Sequence, residues 1–291
     1  MTTEQHVLVG VDAHEDAPEL CWAAAEAIDR GLSLRIACTY PRAAQLWPWD
    51  SDTERAITAD LRNAAHRQAV SAQNYVQSRW PGLAVHGEAV EGHPAETLTQ
   101  LSANAELTVV GSQHRTFLGR AFLDSVSSAL AATASGPVVV VRPRDRQPAK
   151  DAEVVVGVDG FERTDDVLAF AFDYASRQQR PLHAVYCWTN EYGPTPRIPQ
   201  PKVPERARRW LAELLDTWAQ KYPEVEIRQT VNDNAPTPGL LSVADGQDLL
   251  VVGGRTSRHP RLITLLGSVS QGVVHHAALP VAVVHPRVRP E

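Results

Sequence analysis

Short apolar runs rich in β-branched residues alternate with longer segments of helical periodicity along the chain. The first half is predicted to contain strands at 6–12, 32–37, 83–90, 107–110 and 138–141, and helices at 17–30, 54–79, 95–103 and from 125 onward, with an irregular stretch at 41–53. The first helix is predicted to bury Leu20, Ala23, Ala24, Ala27 and Ile28. Strands that alternate with helices predict a parallel sheet, because each right-handed crossover carries its helix over one face. The expected fold class is α/β, with an open, doubly wound sheet.

The same order of predicted strands and helices occurs twice along the chain. Val-Gly-Val-Asp at 9–12 returns at 156–159, an offset of 147 (156 minus 9), and Ser-Val-Ser at 125–127 returns at 268–270, an offset of 143 (268 minus 125). Duplication explains this self-similarity better than chance. In the second copy a Pro-rich stretch at 193–201, expected to be a surface connection, leads into a helix at 205–221.

A charged segment punctuated by proline, about 144–151, shows no apolar periodicity and is predicted to link the copies. The expected domains are therefore 1–143 and 152–291. The formal net charge of -6 gives no basic surplus, so a nucleic-acid partner is not expected. The start of the chain lacks the features of a signal peptide, and no apolar run approaches the roughly 20 residues of a membrane span. We expect a cytoplasmic protein with no membrane contact.

Cysteine usage and motif content argue against several kinds of chemistry. Cys21, Cys38 and Cys187 lack CxxC spacing and lie in apolar patterns, which predicts buried, reduced thiols. The paired histidines at 275–276 come late in a predicted helix, where they complement the helix dipole rather than indicate a metal. The phosphate loop G-x4-G-K-[ST], the fingerprint G-x-G-x-x-G and the elbow G-x-S-x-G are absent, so enzymatic turnover is not expected.

The most distinctive segment is a buried strand at 249–254 that runs through a glycine turn toward a helix opened by Gly267 and Ser268. The first copy repeats it from 107–112 to Ser125. A turn that leaves a strand and feeds a helix presents free N–H groups and a positive dipole end. Such a turn suits an anion, and phosphate in particular.

Some of these residues also have a plainer interpretation. Asp12 and Asp159, which follow the two first strands, could only cap the next turn, and Ser125 and Ser268 could be helix N-caps, a role compatible with binding phosphate. The glycines could simply permit a tight turn. The matched placement of the two aspartates favours a site.

With Gly-Val-Asp at both first strands, Ser-Val-Ser after both fourth strands and a closing Pro-Val-x-Val-Val strand in each half, the chain resembles the tandem-domain universal stress proteins of actinobacteria. The resemblance implies two Rossmann-like five-stranded parallel sheets in the order 3-2-1-4-5. It also implies a homodimer through the fifth strands, and a stress-response regulator that binds ATP, with or without Mg²⁺, by a motif G-x2-G-x9-G-[S/T].

Carried over to this chain, the resemblance implies nucleotide-binding residues in both copies. In the first copy they are Gly10, Val11, Asp12, Ala37, Gly111, Ser112, His114, Ser125 and Val126. In the second copy they are Gly157, Val158, Asp159, Val185, Gly253, Gly254, Arg255, Ser257, Arg258, Gly267, Ser268 and Val269. Ala37 and Val185 are expected to face adenine through their backbones, and the two arginines are placed to contact phosphates.

The phosphate motif is altered differently in the two copies. The first copy reads Gly111, His114, Asp124 and Ser125, and the second, counted from Gly254, reads Gly254, Ser257, Gly267 and Ser268. A carboxylate about 4 Å from a phosphate charge is repelled by on the order of 4 kcal/mol at an effective dielectric near 20. We therefore expect the first copy to bind ATP weakly or not at all, and the second to be the better pocket.

Two other functions are weighed against nucleotide-dependent regulation. One is a dimeric scaffold without nucleotide, in which both pockets are relics. The other is a slow nucleotide hydrolase in which Asp159 holds Mg²⁺.

Overall fold

The computed structural model of the chain describes residues 5–12, 17–46, 50–112, 123–144, 147–160, 164–188, 202–254 and 266–285, with the backbone alone at 45–46, 123–125 and 202–203. The chain divides into two compact units, 1–143 and 144–291. The second unit thus includes the segment predicted to be a linker. The Pro-rich stretch at 193–201 lies outside the described residues.

The first unit is built on a parallel five-stranded sheet. Its elements are β1 (His6–Gly10), α1 (Pro18–Arg30), β2 (Ser33–Tyr40), α2 (Ala43–Leu46), α3 (Ser51–Arg79), β3 (Val85–Glu91), α4 (Pro94–Ser102), β4 (Leu107–Gly111), α5 (Leu123–Thr133) and β5 (Val138–Val141). The strand order is β3-β2-β1-β4-β5. Helix α1 packs against α3, and α4 packs against α5.

The second unit repeats this plan. Its elements are β6 (Val154–Val158), α6 (Thr164–Gln178), β7 (Leu182–Cys187), α7 (Lys202–Lys221), β8 (Ile227–Asn232), α8 (Pro236–Ala244), β9 (Leu249–Gly253), α9 (Ser268–His276) and β10 (Val281–Val284). The strand order is β8-β7-β6-β9-β10, again with parallel pairing. The predicted α/β fold, doubly wound with strand order 3-2-1-4-5, is confirmed in both units.

Several element boundaries differ from those predicted. Strand β2 continues to Tyr40, and the short helix α2 lies in the stretch predicted to be irregular. Helix α3 begins three residues earlier than expected because Asp50 is its N-cap. One carboxylate oxygen of Asp50 accepts hydrogen bonds from the backbone N–H groups of Asp52 (3.2 Å) and Thr53 (3.1 Å).

The buried face of α1 matches the prediction at four of five positions, since Leu20, Ala23, Ala24 and Ala27 are fully buried. Ile28 is 43% exposed, so its assignment to the core is wrong. The buried stripe also includes Glu19 and Glu26, which are 3% and 2% exposed. Arg30 donates a hydrogen bond to Glu26 at 2.6 Å, which compensates the burial of that carboxylate.

Two arginines attach the predicted linker to the second unit. Arg144 forms an ion pair with Asp248 (3.8 Å) and donates a hydrogen bond to its carbonyl oxygen. Arg180 donates hydrogen bonds to the carbonyl oxygens of Ala149 (2.7 Å) and Lys150 (2.5 Å). Hydrogen bonds to charged donors are among the stronger ones in proteins, so this segment is held against the unit that follows it.

The three thiols lie in different environments. Cys38 is buried, as predicted, whereas Cys21 and Cys187 are only half-buried. The Sγ atom of Cys21 lies 3.7 Å from the hydroxyl oxygen of Tyr75. The prediction of burial is therefore confirmed for Cys38 alone.

Candidate functional site

The candidate sites lie where the strand order reverses, at the carboxyl ends of β1 and β4 in the first unit and of β6 and β9 in the second. Gly10 ends β1 and is paired with Ala37 on one side and Val110 on the other. In the second unit Gly157 is paired with Val185. The residues predicted at the first and second strands are thus brought together in both units.

The glycines of the two Gly-Val-Asp runs have a packing role. A Cβ atom on Gly10 would lie 2.7 Å from a methyl carbon of Leu98 in α4, and one on Gly157 would lie 3.0 Å from a methyl carbon of Leu240 in α8. Real Cβ atoms do not tolerate such distances without a shift of their neighbours. These glycines therefore let a helix approach the central strand.

The valines of the same runs are also structural. Val11 and Val158 are 9% and 5% exposed. The N–H of Val11 donates a hydrogen bond to the carbonyl oxygen of Ala37 at 3.2 Å, which extends the sheet by one residue. Of each run, only the aspartate presents a side-chain acceptor at the edge of the sheet.

The two aspartates differ in their surroundings. The Oδ1 atom of Asp12 is buried and has no hydrogen-bond partner among the described residues, whereas Asp159 is exposed. Burial, together with the charge of Asp12, raises the pKa of the Cys38 thiol to about 12. A ligand hydroxyl at Asp12 would supply the missing donor.

The strand register identifies where each phosphate loop begins. Gly111 is paired with Val141 and Gly253 with Val284, so Gly111 and Gly253 are equivalent. Counting the second motif from Gly254 therefore starts one residue beyond the strand. The interval from the glycine to the serine of Ser-Val-Ser is 14 residues in the first copy (125 minus 111) and 15 in the second (268 minus 253).

The first backbone N–H after each fourth strand is already used. Ser112 donates to the carbonyl oxygen of Val141 at 2.9 Å, and Gly254 donates to that of Val284 at 2.7 Å. The ring of His285 lies so close to Gly254 that a Cβ atom there would collide with it. A phosphate would have to be held by groups other than these two amides.

At the helix end of the second site, α9 begins at Ser268 with Gly267 as its N-cap residue. The hydroxyl of Ser270 donates to the carbonyl oxygen of Gly253 at 2.7 Å, which joins the helix start to the end of β9. Ser268 is exposed and Val269 is half-buried. The end of β9 therefore lies next to the start of α9, where Gly267 and Ser268 are found.

The expected serine caps are wrong in both units. Ser268 is the first residue of α9, and it is Gly267 that occupies the cap position. In the first unit α5 begins at Leu123, so Ser125 lies inside the first turn, followed by the half-buried Val126. Asp124 takes the place of the motif glycine there, and aspartate has a higher helix propensity than glycine.

Some predicted site residues cannot be placed. His114, Arg255, Ser257 and Arg258 lie outside the described residues. Their contributions to a site stay predictions.

Two neighbours of the site were missed by the sequence analysis. The carboxyl group of Glu19 lies against Gly111, and in the second unit the equivalent neighbour of Gly253 is Val167. The sequence feature that could have indicated the first of these neighbours is Glu19 itself, an acidic residue within the apolar stripe of the first helix. Tyr186 and Trp210 lie beside Gly160 and pack edge-on with ring centroids 5.3 Å apart.

No three His, Cys, Asp or Glu residues in the described ranges are grouped to hold a metal ion. Within those same ranges, no helix combines the length and hydropathy needed to cross a bilayer. His275 and His276 lie in the last turn of α9, where the prediction placed them.

Comparison with known proteins agrees with this architecture. The sequence model of the universal stress protein family matches residues 4–142 and 152–285. A universal stress protein of Mycobacterium tuberculosis is 34% identical over 295 residues, covering 96% of this chain and 97% of that protein. One from Mycolicibacterium smegmatis is 35% identical over 292 residues, covering 98% of each.

Solved structures are similar in fold. A universal stress protein from Archaeoglobus fulgidus matches with a TM-score of 0.67 at 15% identity, covering 98% of this chain and 97% of that one. A universal stress protein in complex with cAMP covers 48% of this chain with a TM-score of 0.36, a likeness too low to transfer its ligand. Since the family model matches both halves and relatives above 30% identity span nearly the whole length, the chain belongs to the universal stress protein family.

Proposed function

We propose that this chain binds an adenine nucleotide, ATP, in its second unit and acts as a cytoplasmic regulator of the stress response. It responds to nucleotide through conformation or choice of partner rather than through catalytic turnover. A homodimer formed through the fifth strands, and Mg²⁺ bound beside the phosphates, are part of the same proposal. Family membership supports it, together with the geometry of the second site.

One observation carries the assignment to the second unit. Gly253 is exposed, and the nearest described atom to a Cβ built on it is a methyl carbon of Val167, at 3.4 Å. Gly111, its counterpart, is only half-exposed and lies against the Glu19 carboxyl group. An uncharged, open glycine lets an anion approach the backbone closely.

The start of α9 fits the same ligand. The hydrogen bond from Ser270 to Gly253 holds the first turn of the nine-residue helix beside the end of β9. The first N–H groups of a helix have no partner within the helix, and its dipole is positive there. Gly267 at the cap position adds no side chain between these groups and a phosphate.

Three further residues complete the proposed site. Asp159 is exposed at the end of β6, where its carboxylate can accept hydrogen bonds from ribose hydroxyls or take part in binding Mg²⁺. Arg255 and Arg258 supply positive charge in the segment between β9 and α9. We expect them to contact the phosphates.

The test is titration calorimetry of ATP with Mg²⁺ into the full chain and into Gly267→Asp. The variant places a carboxylate at the helix start, as Asp124 does in the first copy, and we expect it to lose at least tenfold in affinity. Gly82→Asp is the matched control, because no described atom lies within 4 Å of a Cβ on Gly82 and it is remote from the site in sequence.

The outcomes separate the competing functions. Absence of heat and of a thermal shift at millimolar nucleotide in the wild type would contradict the proposal and favour the scaffold without nucleotide. Phosphate release that Asp159→Ala abolishes would instead favour the slow hydrolase. Acid-released nucleotide from the purified protein, identified by mass spectrometry, gives an independent readout.

A further inference from the structure

The two units differ at one buried position on the helix that follows the first strand. Helices α1 and α6 correspond at an offset of 148, since Leu20 and Leu168 (168 minus 20) are both fully buried. At this offset Glu19 corresponds to Val167 (167 minus 19). Glu19 is 3% exposed and Val167 is 6% exposed, so both side chains point into the unit.

Both side chains lie against the glycine that ends the fourth strand. A Cβ atom on Gly111 would lie 2.6 Å from the carboxyl carbon of Glu19 and 2.7 Å from each of its oxygens. A Cβ atom on Gly253 would lie 3.4 Å from the nearest methyl carbon of Val167. The first unit therefore has a buried carboxyl group where the second has an aliphatic one.

We propose that Glu19 makes the first unit reject phosphate, and that Val167 at the same place lets the second unit accept it. This inference rests on the proposed nucleotide binding of the second unit. Glu19 lies in the first turn of α1, where the helix dipole favours the charged form of a carboxyl group. A phosphate beside Gly111 would be repelled by the Glu19 carboxylate.

The general preference for acidic residues in the first turn of a helix does not explain why Glu19 is buried. Acidic residues in the first turn of a helix usually lie in water, as Asp165 does in α6, where it is exposed. Glu19 instead takes a core position directly beside the loop glycine. At about 4 Å and an effective dielectric near 20, the repulsion corresponds to roughly a thousandfold in affinity before screening.

The first experiment transfers the carboxylate to the second unit. Titration calorimetry of ATP with Mg²⁺ compares the full-length wild type with Val167→Glu and Val167→Gln, where glutamine has nearly the same size without the charge. We expect Val167→Glu to weaken binding at least tenfold relative to Val167→Gln. Circular dichroism and thermal melting check the folding of both variants. Equal affinity of Val167→Glu and wild type would overturn the inference.

A second experiment covers the case in which the buried glutamate prevents folding. Asp124→Gly restores the motif glycine of the first copy, and we compare it with the double variant Glu19→Val/Asp124→Gly. We expect one binding site per chain in the single variant and two in the double variant. A second site in Asp124→Gly alone, or a single site in the double variant, would show that Glu19 is not the determinant.

The two proposals fail in different ways. A wild-type chain that binds no nucleotide contradicts the proposed function, and it also contradicts the role proposed for Glu19, which depends on that function. A wild-type chain that binds nucleotide, with Val167→Glu binding equally well, contradicts the assignment of Glu19 alone.

Discussion

At the scale of single residues, equivalent positions in the two units make similar contacts with different types of side chain. In the first unit Arg35 donates a hydrogen bond to Glu88 at 2.6 Å between β2 and β3. At the corresponding place between β7 and β8, His183 forms a hydrogen bond with Thr230 at 2.8 Å. The other ring nitrogen of His183 lies 2.8 Å from a carboxylate oxygen of the buried Glu153. A cross-strand polar contact is retained although neither residue type is.

Cys38 offers a prediction at this scale that depends on pH. Burial and the nearby Asp12 raise the pKa of its thiol from 9.0 to about 12, so the folded state favours the neutral form. Its contribution to stability is complete below pH 9 and is lost as the pH rises toward 12. Between pH 8 and 10.5 we expect the free energy of unfolding of the wild type to fall by on the order of 1–2 kcal/mol more than that of Cys38→Ala.

Urea unfolding at both pH values, followed by circular dichroism, provides the measurement. Because other groups titrate in the same range, only the difference between wild type and Cys38→Ala is informative. Parallel loss of stability in the two proteins would show that the thiol does not titrate as described.

At the scale of elements, close approach of helix and strand accounts for the glycine of each Gly-Val-Asp run. The methyl groups of Leu98 in α4 occupy the space where a Cβ atom on Gly10 would lie, and Leu240 in α8 does the same at Gly157. Packing alone is therefore sufficient to explain why this glycine is present in both copies.

A double-mutant cycle tests this packing role. We expect Gly10→Ala to destabilise the protein by about 1–3 kcal/mol, because the new methyl group overpacks the α4 contact. Leu98→Ala should destabilise by creating a cavity, but the double variant should be less destabilised than the sum of the two. Urea unfolding of all four proteins gives the coupling energy, and strict additivity would rule out the contact as the cause.

At the scale of the whole molecule, duplication has produced two units with one fold and two different sites. The first unit combines Glu19 against Gly111 with an early start of α5, whereas the second combines an exposed Gly253 with a cap at Gly267. The proposed result is one working nucleotide site per chain.

Hydrogen exchange with mass spectrometry tests that asymmetry on the full chain. A ligand that binds only the folded second site lowers local opening there by mass action. At saturating ATP and Mg²⁺ we expect slower exchange at 249–254 and 268–276, with no change at 107–111 and 123–133. Protection of the first-unit segments would contradict the assignment of the site to the second unit.

The amino-acid sequence by itself determined the alternation of strands and helices, apart from the short helix α2, together with the duplication and the α/β class, because periodicities of two and 3.6 residues are local properties of the chain. Tertiary structure decided which of two adjacent glycines begins the loop and which residues of α1 are buried. Gly253 rather than Gly254 begins the loop because the register with Val284 places it there. Glu19 is buried while Ile28 is exposed because helix α1 is oriented by the sheet it packs against. These outcomes depend on partners that are distant along the chain, which no local pattern specifies.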